Sequence, residues 1–395
     1  MMDVFQTKSR VIITCNKRLS PYLQLEVKEL GFQAVRTFPT GVELNCTLSE
    51  CIKLNLNLRC ASQVLYHLHH FRAGTPDALY EALVSLEWEE LIDFSGYFSI
   101  TSNVDNPHIS TPLFANLKVK DAIADRIKAK KGIRPNSGSD AHKAVIHLYW
   151  KGDEADIFID SSGETLAKHS YRKIPGKAPM LEALASSVIL ATQWDRQSTF
   201  VNPMCGSGTL AIEAALIATN RRPGLLRMNY GFMHIMGYNE EVFFAERRLL
   251  KEQVIKDLPA QIIATDISED AIDVSRKNAK TAGVDTLITF EVCDFEDTPV
   301  PEGKGVVVFN PEYGERLGVH HKLELTYKRM GDFMKKKCKG FFGYIFTGNP
   351  DLAKKIGLKA DKKIEFYNGK LDCRLLAYEL YDGSRRPDEE RPKRP

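Results

Sequence analysis

No two of the chain's eight cysteines stand in a Cys-x-x-Cys spacing. Cys15, Cys46, Cys51, Cys60, Cys205, Cys293, Cys338 and Cys373 are scattered over 395 residues. That pattern excludes a disulfide framework or a zinc ribbon and reads as reduced cytosolic thiols. Histidines gather only at His67, His69 and His70, in a strand-like run with no cysteine or carboxylate beside them in sequence, so no metal site is expected. No run reaches about 18 apolar residues, and the N-terminus lacks the short apolar core of a secretory signal. The expectation is a cytoplasmic protein without membrane contact. Charge of one sign is also scarce: 54 Lys plus Arg against 51 Asp plus Glu leaves +3. Nucleic-acid binding must therefore be argued from local clusters. The length suffices for two or three domains.

Two runs carry the chemistry. In GVVVFNPEYGERLG, Val306 to Phe309 form a short apolar, β-branched and aromatic run, the signature of a strand buried on both faces. Asn310 follows at the strand end, Pro311 stiffens the turn, Glu312 adds a charge, and Tyr313 supplies a flat ring. In open α/β sheets this carboxyl edge is where ligands bind. An amide oxygen and backbone carbonyls there can accept the two N–H groups of an exocyclic base amine. That orients the amine's lone pair toward an electrophile and stabilises positive charge developing on nitrogen. The Tyr313 ring can stack on the base.

The second run is STFVNPMCGSGTLAIEAALIA. A strand over Ser198 to Val201 and a helix over Leu210 to Ala218 flank Asn202, Pro203, Met204, Cys205, Gly206, Ser207, Gly208 and Thr209. Gly206 and Gly208 let the backbone pass close to a ligand, and the helix N-terminus faces it. A Gly-x-Gly loop alone suits three cofactors. No Lys follows the second Gly, which excludes a P-loop. A dinucleotide site needs an acid about 20 residues on, whereas the next acidic strand end, Asp266, lies far downstream. S-adenosyl-L-methionine fits better. Gln261 to Thr265 leads to Asp266-Ile267, whose carboxylate can accept from ribose hydroxyls. Thr289 to Cys293 leads to Asp294, which can accept the adenine amine, with Phe295 beside it to pack on the ring.

NPMCGSGT and NPEY resemble motifs I and IV of amino-methyltransferases. Gly314-Glu315-Arg316-Leu317 narrows the resemblance to the RlmL-type 23S rRNA guanine-N(2)-methyltransferases, from about residue 10 to 381. The chain departs from that pattern at Glu312, where the family usually has a second proline. The resemblance implies an α/β fold: a class I (Rossmann-like) methyltransferase sheet with an N-terminal α+β THUMP/ferredoxin-like RNA-binding region. The related bifunctional proteins carry a second methyltransferase domain, for which this length leaves no room.

The N-terminal half fits that picture. Strands are expected at Val11 to Cys15 and Val42 to Cys46, with a helix over Pro21 to Leu30 ending at Gly31. Strands follow at Ser62 to Phe71 and Tyr97 to Thr101, with a helix from Thr75 to Leu86 and a hairpin over Val145 to Asp160. The order of elements resembles a THUMP domain. Leu117 to Pro135 reads as a basic helix whose Lys118, Lys120, Arg126, Lys128, Lys130, Lys131 and Arg134 can neutralise phosphates. Asp160 to Gly163 opens a polar stretch read as the domain joint, where His169, Arg172, Lys173 and Lys177 can line a groove between domains; Arg172 and Lys173 are expected to contact RNA. Arg221, Arg222 and Arg227, in an insertion over Asn220 to Leu250, offer further contacts. The expected domains are residues 1–60 (ferredoxin-like), 61–165 (THUMP) and 166–383 (methyltransferase), with a disordered tail at 384–395.

The expected partner is RNA, either 23S rRNA or a ribosomal precursor, with no membrane; the oligomeric state is open. Three rivals stand beside this reading: a DNA adenine amino-methyltransferase, an RNA-binding protein whose catalysis Glu312 impairs, and a nicotinamide dehydrogenase.

Overall fold

The structure, a computed structural model, describes residues 3–109, 111–174, 179–313 and 320–381. The chain divides into two units. The first takes Met1–Arg172, Met180–Ser187 and Thr219–Lys256; the second takes Lys173–Pro179, Val188–Ala218 and Asp257–Pro395. No helix of the described residues is long and apolar enough to cross a membrane.

The first unit is built on β1 (Ser9–Thr14), β2 (Arg36–Phe38), β3 (Gly41–Cys46), β4 (Gln63–Arg72), β5 (Tyr97–Asp105), β6 (Asn136–Gly138), β7 (Ala144–Lys151) and β8 (Glu154–Asp160). They form one sheet in the order β2-β3-β1-β4-β8-β7-β5-β6. Strand β4 pairs with β1 on one side and β8 on the other, so the sheet runs unbroken through the boundary expected at residue 60. Helices α1 (Ser20–Glu29), α2 (Leu48–Asn57), α3 (Pro76–Val84) and α4 (Pro112–Lys131) complete this part. Sequence reasoning missed α2, although its start signal is present. The Thr47 hydroxyl accepts from the Glu50 N–H and the Glu50 carboxylate accepts from the Thr47 N–H, a reciprocal cap at the head of an apolar run.

The stretch from Asp160 to Ser162 is not an exposed joint. All three residues are fully buried, and the Ser161 and Ser162 hydroxyls bond to the backbone of Val64. Composition suggested a linker; the polar side chains instead satisfy backbone groups at the end of β8.

Helix α5 (Glu182–Ala191) begins among the residues of the first unit and ends among those of the second. In the second unit, β9 (Thr199–Pro203) is followed by α6 (Thr209–Ala218). The next segment, Thr219–Lys256 with α7 (Glu240–Glu252), folds with the first unit. Two of its arginines are spent there. Arg227 donates to the carbonyls of Ser162 and Glu164, and Arg247 to those of Arg227 and Leu225. Arg227 is therefore a structural brace and not the RNA contact expected of it. The second unit resumes with β10 (Ile262–Asp266), α8 (Glu269–Ala282), β11 (Ile288–Val292), β12 (Gly305–Phe309), α9 (His320–Lys337), β13 (Phe341–Thr347), α10 (Pro350–Lys354), β14 (Lys362–Asn368) and β15 (Leu371–Glu379).

Its sheet runs β11-β10-β9-β12-β13-β15-β14, parallel except for β15, which lies antiparallel to both neighbours. Strands β14 and β15 pair around Asn368-Gly369, a dipeptide that signals a hairpin in the sequence itself. Strand order reverses between β9 and β12, which pair in parallel at Val201 and Val307. At such a reversal the connections leave on opposite faces and open a crevice at the carboxyl edge.

Candidate active site

Both diagnostic runs empty into that crevice. The Gly-rich loop leaves β9 and the Asn310 turn leaves β12. The loop's conformation explains its glycines. Gly206 has φ +56° and Gly208 has φ +78°, a region open to glycine without strain. A Cβ on Gly206 would meet nothing within 4 Å, so it would project into the open cradle of the loop. A Cβ on Gly208 would lie 2.9 Å from the Ser275 side chain. Met204, a non-glycine at φ +55°, shows that the loop is held in this shape by its surroundings.

Those surroundings include two residues that sequence reasoning missed. The Ser275 hydroxyl donates to the Gly206 carbonyl at 2.7 Å. Asn278, fully buried, donates from Nδ2 to the carbonyls of Ser207 and Ile174 and accepts the Lys173 N–H at Oδ1. Both side chains lie on α8, whose first turn the Ser268 hydroxyl caps by accepting the Ala271 N–H. Nothing local distinguishes them from solvent-facing polar residues. Thr209 is buried at the head of α6, and the Ser207 hydroxyl lies 3.4 Å from the Thr209 hydroxyl. Burial pushes the Cys205 thiol up to about 12, which keeps it protonated and a packing group at neutral pH.

Asn202 and Pro203 are buried where β9 ends. Asn202 Nδ2 donates to the Val308 carbonyl at 2.9 Å, while its Oδ1 is buried without a hydrogen-bond partner. Asp266 braces the loop with both oxygens: Oδ2 accepts the Gly206 N–H at 2.9 Å and Oδ1 the Ser268 N–H at 3.0 Å. Each oxygen keeps lone-pair capacity for ligand hydroxyls. Ile267 is 72% exposed, an apolar surface beside that carboxylate. Phe295 is a different matter. It was expected to lie on a ligand ring, but it is 6% exposed and sits edge-on to Phe309 and Phe333 in the core. Its ring belongs to the sheet–helix packing that supports β12.

Asn310 follows β12, and among the described residues nothing bonds to its buried Oδ1. Pro311 is buried, Glu312 exposed and Tyr313 half-buried. The Tyr313 hydroxyl accepts from Asn368 Nδ2 at 2.9 Å, and its ring stands edge-on to Phe346. Burial pushes Tyr313 up to about 12, so the ring stays neutral. The hairpin cue at Asn368 was legible in sequence; its side chain's hold on Tyr313 was not. Gly314 to Leu317 lie outside the described residues, as do Lys177 and the 384–395 tail.

The basic helix divides. Lys128, Lys130 and Lys131 are exposed on the last turn of α4, which ends at Gly132 in the left-handed region. Lys118 pairs with Asp77, Lys120 with Asp121, and Arg134 with Asp121 and Asp125. These pairs are at or near the surface and leave the cations able to exchange partners. Arg126 is not: it forms a two-pronged pair with Glu89, itself buried. Arg172, its side chain 13% exposed, donates to the Met180 carbonyl and pairs with Glu182. Both expected RNA contacts are therefore internal struts. Lys173 is exposed.

Known proteins agree with this architecture. Residues 169–377 match the family described as RMKL-like, methyltransferase domain; residues 10–65 match the RlmL ferredoxin-like domain and residues 73–160 the THUMP domain. The chain is 36% identical over 378 residues to the Ribosomal RNA large subunit methyltransferase K/L of Syntrophotalea carbinolica, covering 93% of this chain and 53% of that protein. It spans about half the length of the curated relatives it matches. Among solved structures it is similar to SMU.472, assigned as a methyltransferase and complexed with SAH, with a TM-score of 0.86, 26% identity, and 96% of this chain and 100% of that one covered. It is also similar to a "predicted N6-adenine-specific DNA methylase" from Listeria monocytogenes, with a TM-score of 0.84, 29% identity, and 95% and 97% coverage.

Proposed function

The chain belongs to the RMKL-like methyltransferase family, and on that premise we propose that it methylates the exocyclic amine of a guanine in 23S rRNA, with S-adenosyl-L-methionine as donor. One observation carries the reading: the buried, unpartnered Oδ1 of Asn310 at the point where strand order reverses. A buried acceptor without a donor is costly, and such a group in a crevice fits a ligand donor. The substrate amine supplies one. Asn310 Oδ1 and the Pro311 carbonyl accept its two N–H groups, hold its lone pair in line and stabilise charge on nitrogen. Tyr313, neutral and steadied by Asn368, stacks on the base. Glu312 is exposed, so its carboxylate remains in water and does not load the turn with a buried charge.

The residues present suit the donor. The open space at Gly206 leaves room for close approach, and the buried Asn202 Oδ1, at the end of β9, meets no donor among the described residues. Asp266 would hold the ribose hydroxyls, Ile267 would cover the purine, and Asp294 would accept its amine, with Asn202, Pro203, Cys205, Gly206, Ser207, Gly208 and Thr209 forming the loop around it. When bound, the donor supplies an electrophilic methyl on a sulfonium. RNA contact is assigned to the THUMP part through Lys118, Lys120, Lys128, Lys130, Lys131 and Arg134, with Lys173. A guanine must leave its stack to enter the crevice. We place the protein in the cytoplasm, with no membrane partner.

The test is methyl transfer from labelled S-adenosyl-L-methionine to undermethylated 23S rRNA, with nucleoside analysis of the product. Label in N2-methylguanosine, absent with Asn310→Ala, is the expected result. The Listeria relative's title favours a second reading, amino-methylation of adenine in DNA. Label in duplex DNA and none in rRNA would replace the first reading with that one. Cofactor binding without turnover on either, with activity restored by Glu312→Pro, would mark an impaired enzyme.

A further inference from the structure

The carboxylate assigned to the purine amine is held by a residue outside both diagnostic motifs. Asp294 caps a short turn: its Oδ1 accepts the Glu296 N–H at 3.0 Å and Nη2 of Arg329 at 2.9 Å. Among the described residues nothing bonds to its Oδ2, and the side chain is 30% exposed. Arg329 comes from α9, the helix that follows the Asn310 turn in the chain. Its Nη2 also reaches Glu296 Oε2 at 2.7 Å, and its guanidinium carbon lies 4.9 Å from the Phe295 ring centroid. One planar cation thus engages three consecutive residues, 294 to 296, over the aromatic ring that anchors them in the core. A carboxylate with one oxygen fixed by two donors has its plane set, and its second oxygen then points in one direction. Both bonds leave one nitrogen, Nη2, while the guanidinium keeps its contact with the Phe295 ring, a combination that the point charge of lysine does not reproduce.

Resting on the functional reading above, we infer that Arg329 is a positioning residue for cofactor specificity: by pinning Asp294 Oδ1 it aims Oδ2 at the amine of the purine and makes the site select an aminopurine over an oxopurine. Exposed ion pairs contribute little to folding. The role of Arg329 therefore shows in ligand choice and not in stability. It also ties the helix leaving the catalytic turn to the purine-binding carboxylate.

The test is titration calorimetry on the full chain with two ligands, SAH and S-inosyl-L-homocysteine, in which oxygen replaces the purine amine. Wild type should prefer SAH by about tenfold or more. Arg329→Met keeps an apolar stem over Phe295. It should weaken SAH by about tenfold while leaving the inosyl compound unchanged, so the preference collapses. Arg329→Lys should fall between, and the melting point of the free protein should hold in both variants. Retention of the preference in Arg329→Met, or equal weakening of both ligands, would overturn the inference and leave the functional reading standing. Failure of the wild type to bind either ligand would overturn both.

Discussion

Replacing Asn310 by alanine should separate activity from stability. Its Oδ1 is buried and accepts no hydrogen bond among the described residues. Such a group costs the fold about 1–3 kcal/mol. Alanine removes that cost and forfeits the packing of a short polar side chain, which leaves a net gain of about 1 kcal/mol. For a unit of about 150–250 residues this raises the midpoint of unfolding by about 2–4 °C. Activity moves the other way. Loss of one preorganised group that meets charge developing in the transition state lowers the rate by about 10²–10³. The assay pairs calorimetric melting of the ligand-free protein with single-turnover methyl transfer to rRNA. A variant that melts several degrees below wild type would show that Asn310 is a structural pin. A rate within about threefold of wild type would remove it from the chemistry.

Four further outcomes follow from the first unit. Burial pushes Asp160 up to about 7, although the Ser162 and Gly163 N–H groups and Arg227 favour its charge. The folded state then keeps a proton that the unfolded chain has released, so this contribution is full below about pH 4 and is lost as pH rises through 7. Asp160→Asn should match wild type near pH 4 and exceed it at pH 8 by roughly 2–4 kcal/mol in urea unfolding; parallel pH profiles for the two proteins would refute this. Gly231→Ala places a Cβ 2.2 Å from the Asp160 carbonyl oxygen and 3.0 Å from the Gly163 nitrogen. It should cost about 2 kcal/mol or more by urea titration, and a cost under about 0.5 would contradict the tight approach. Lys128→Glu with Lys130→Glu should weaken rRNA binding and flatten its dependence on log salt by about 1.4, measured by filter binding from low to moderate salt. Arg126→Gln should instead lower the melting point by unpairing buried Glu89; weaker RNA binding at unchanged stability would reverse that assignment.

The sheet of the second unit was largely legible because its strands advertise themselves. The run from Val306 to Phe309 is fully apolar, and every residue of it is buried. The Gly-rich loop and the strand-end carboxylates sit beside such runs, so local reading places them in one crevice. Long-range polar contacts gave no such signal. Arg126 looked like one more cation on a basic helix, and its partner lies 37 residues away in sequence. Phe295 followed a ligand-type aspartate, yet its ring faces the core, which no periodicity over three residues reveals. Ser275, Asn278 and Arg329 act through contacts with residues distant in sequence, and nothing in their immediate neighbours marks those contacts. The polar run from Asp160 to Ser162 failed in the other direction: composition spoke for solvent, whereas the hydroxyls pair with backbone groups in the core.

The interleaving of the two units along the chain bears on how the protein is made. The first unit needs residues up to Lys256, but its first continuous segment closes at Arg172. During synthesis the early sheet must wait for 84 further residues, the difference between 256 and 172. At about 5–20 residues per second that delay is roughly 4–17 s. Strand β9, the Gly-rich loop and α6 leave the ribosome inside this interval, before their own sheet neighbours β10 and β12 exist. Each unit is therefore incomplete for seconds while part of the other has already been made. A cut made anywhere between Arg172 and Lys256 would strand part of one unit on the other's fragment.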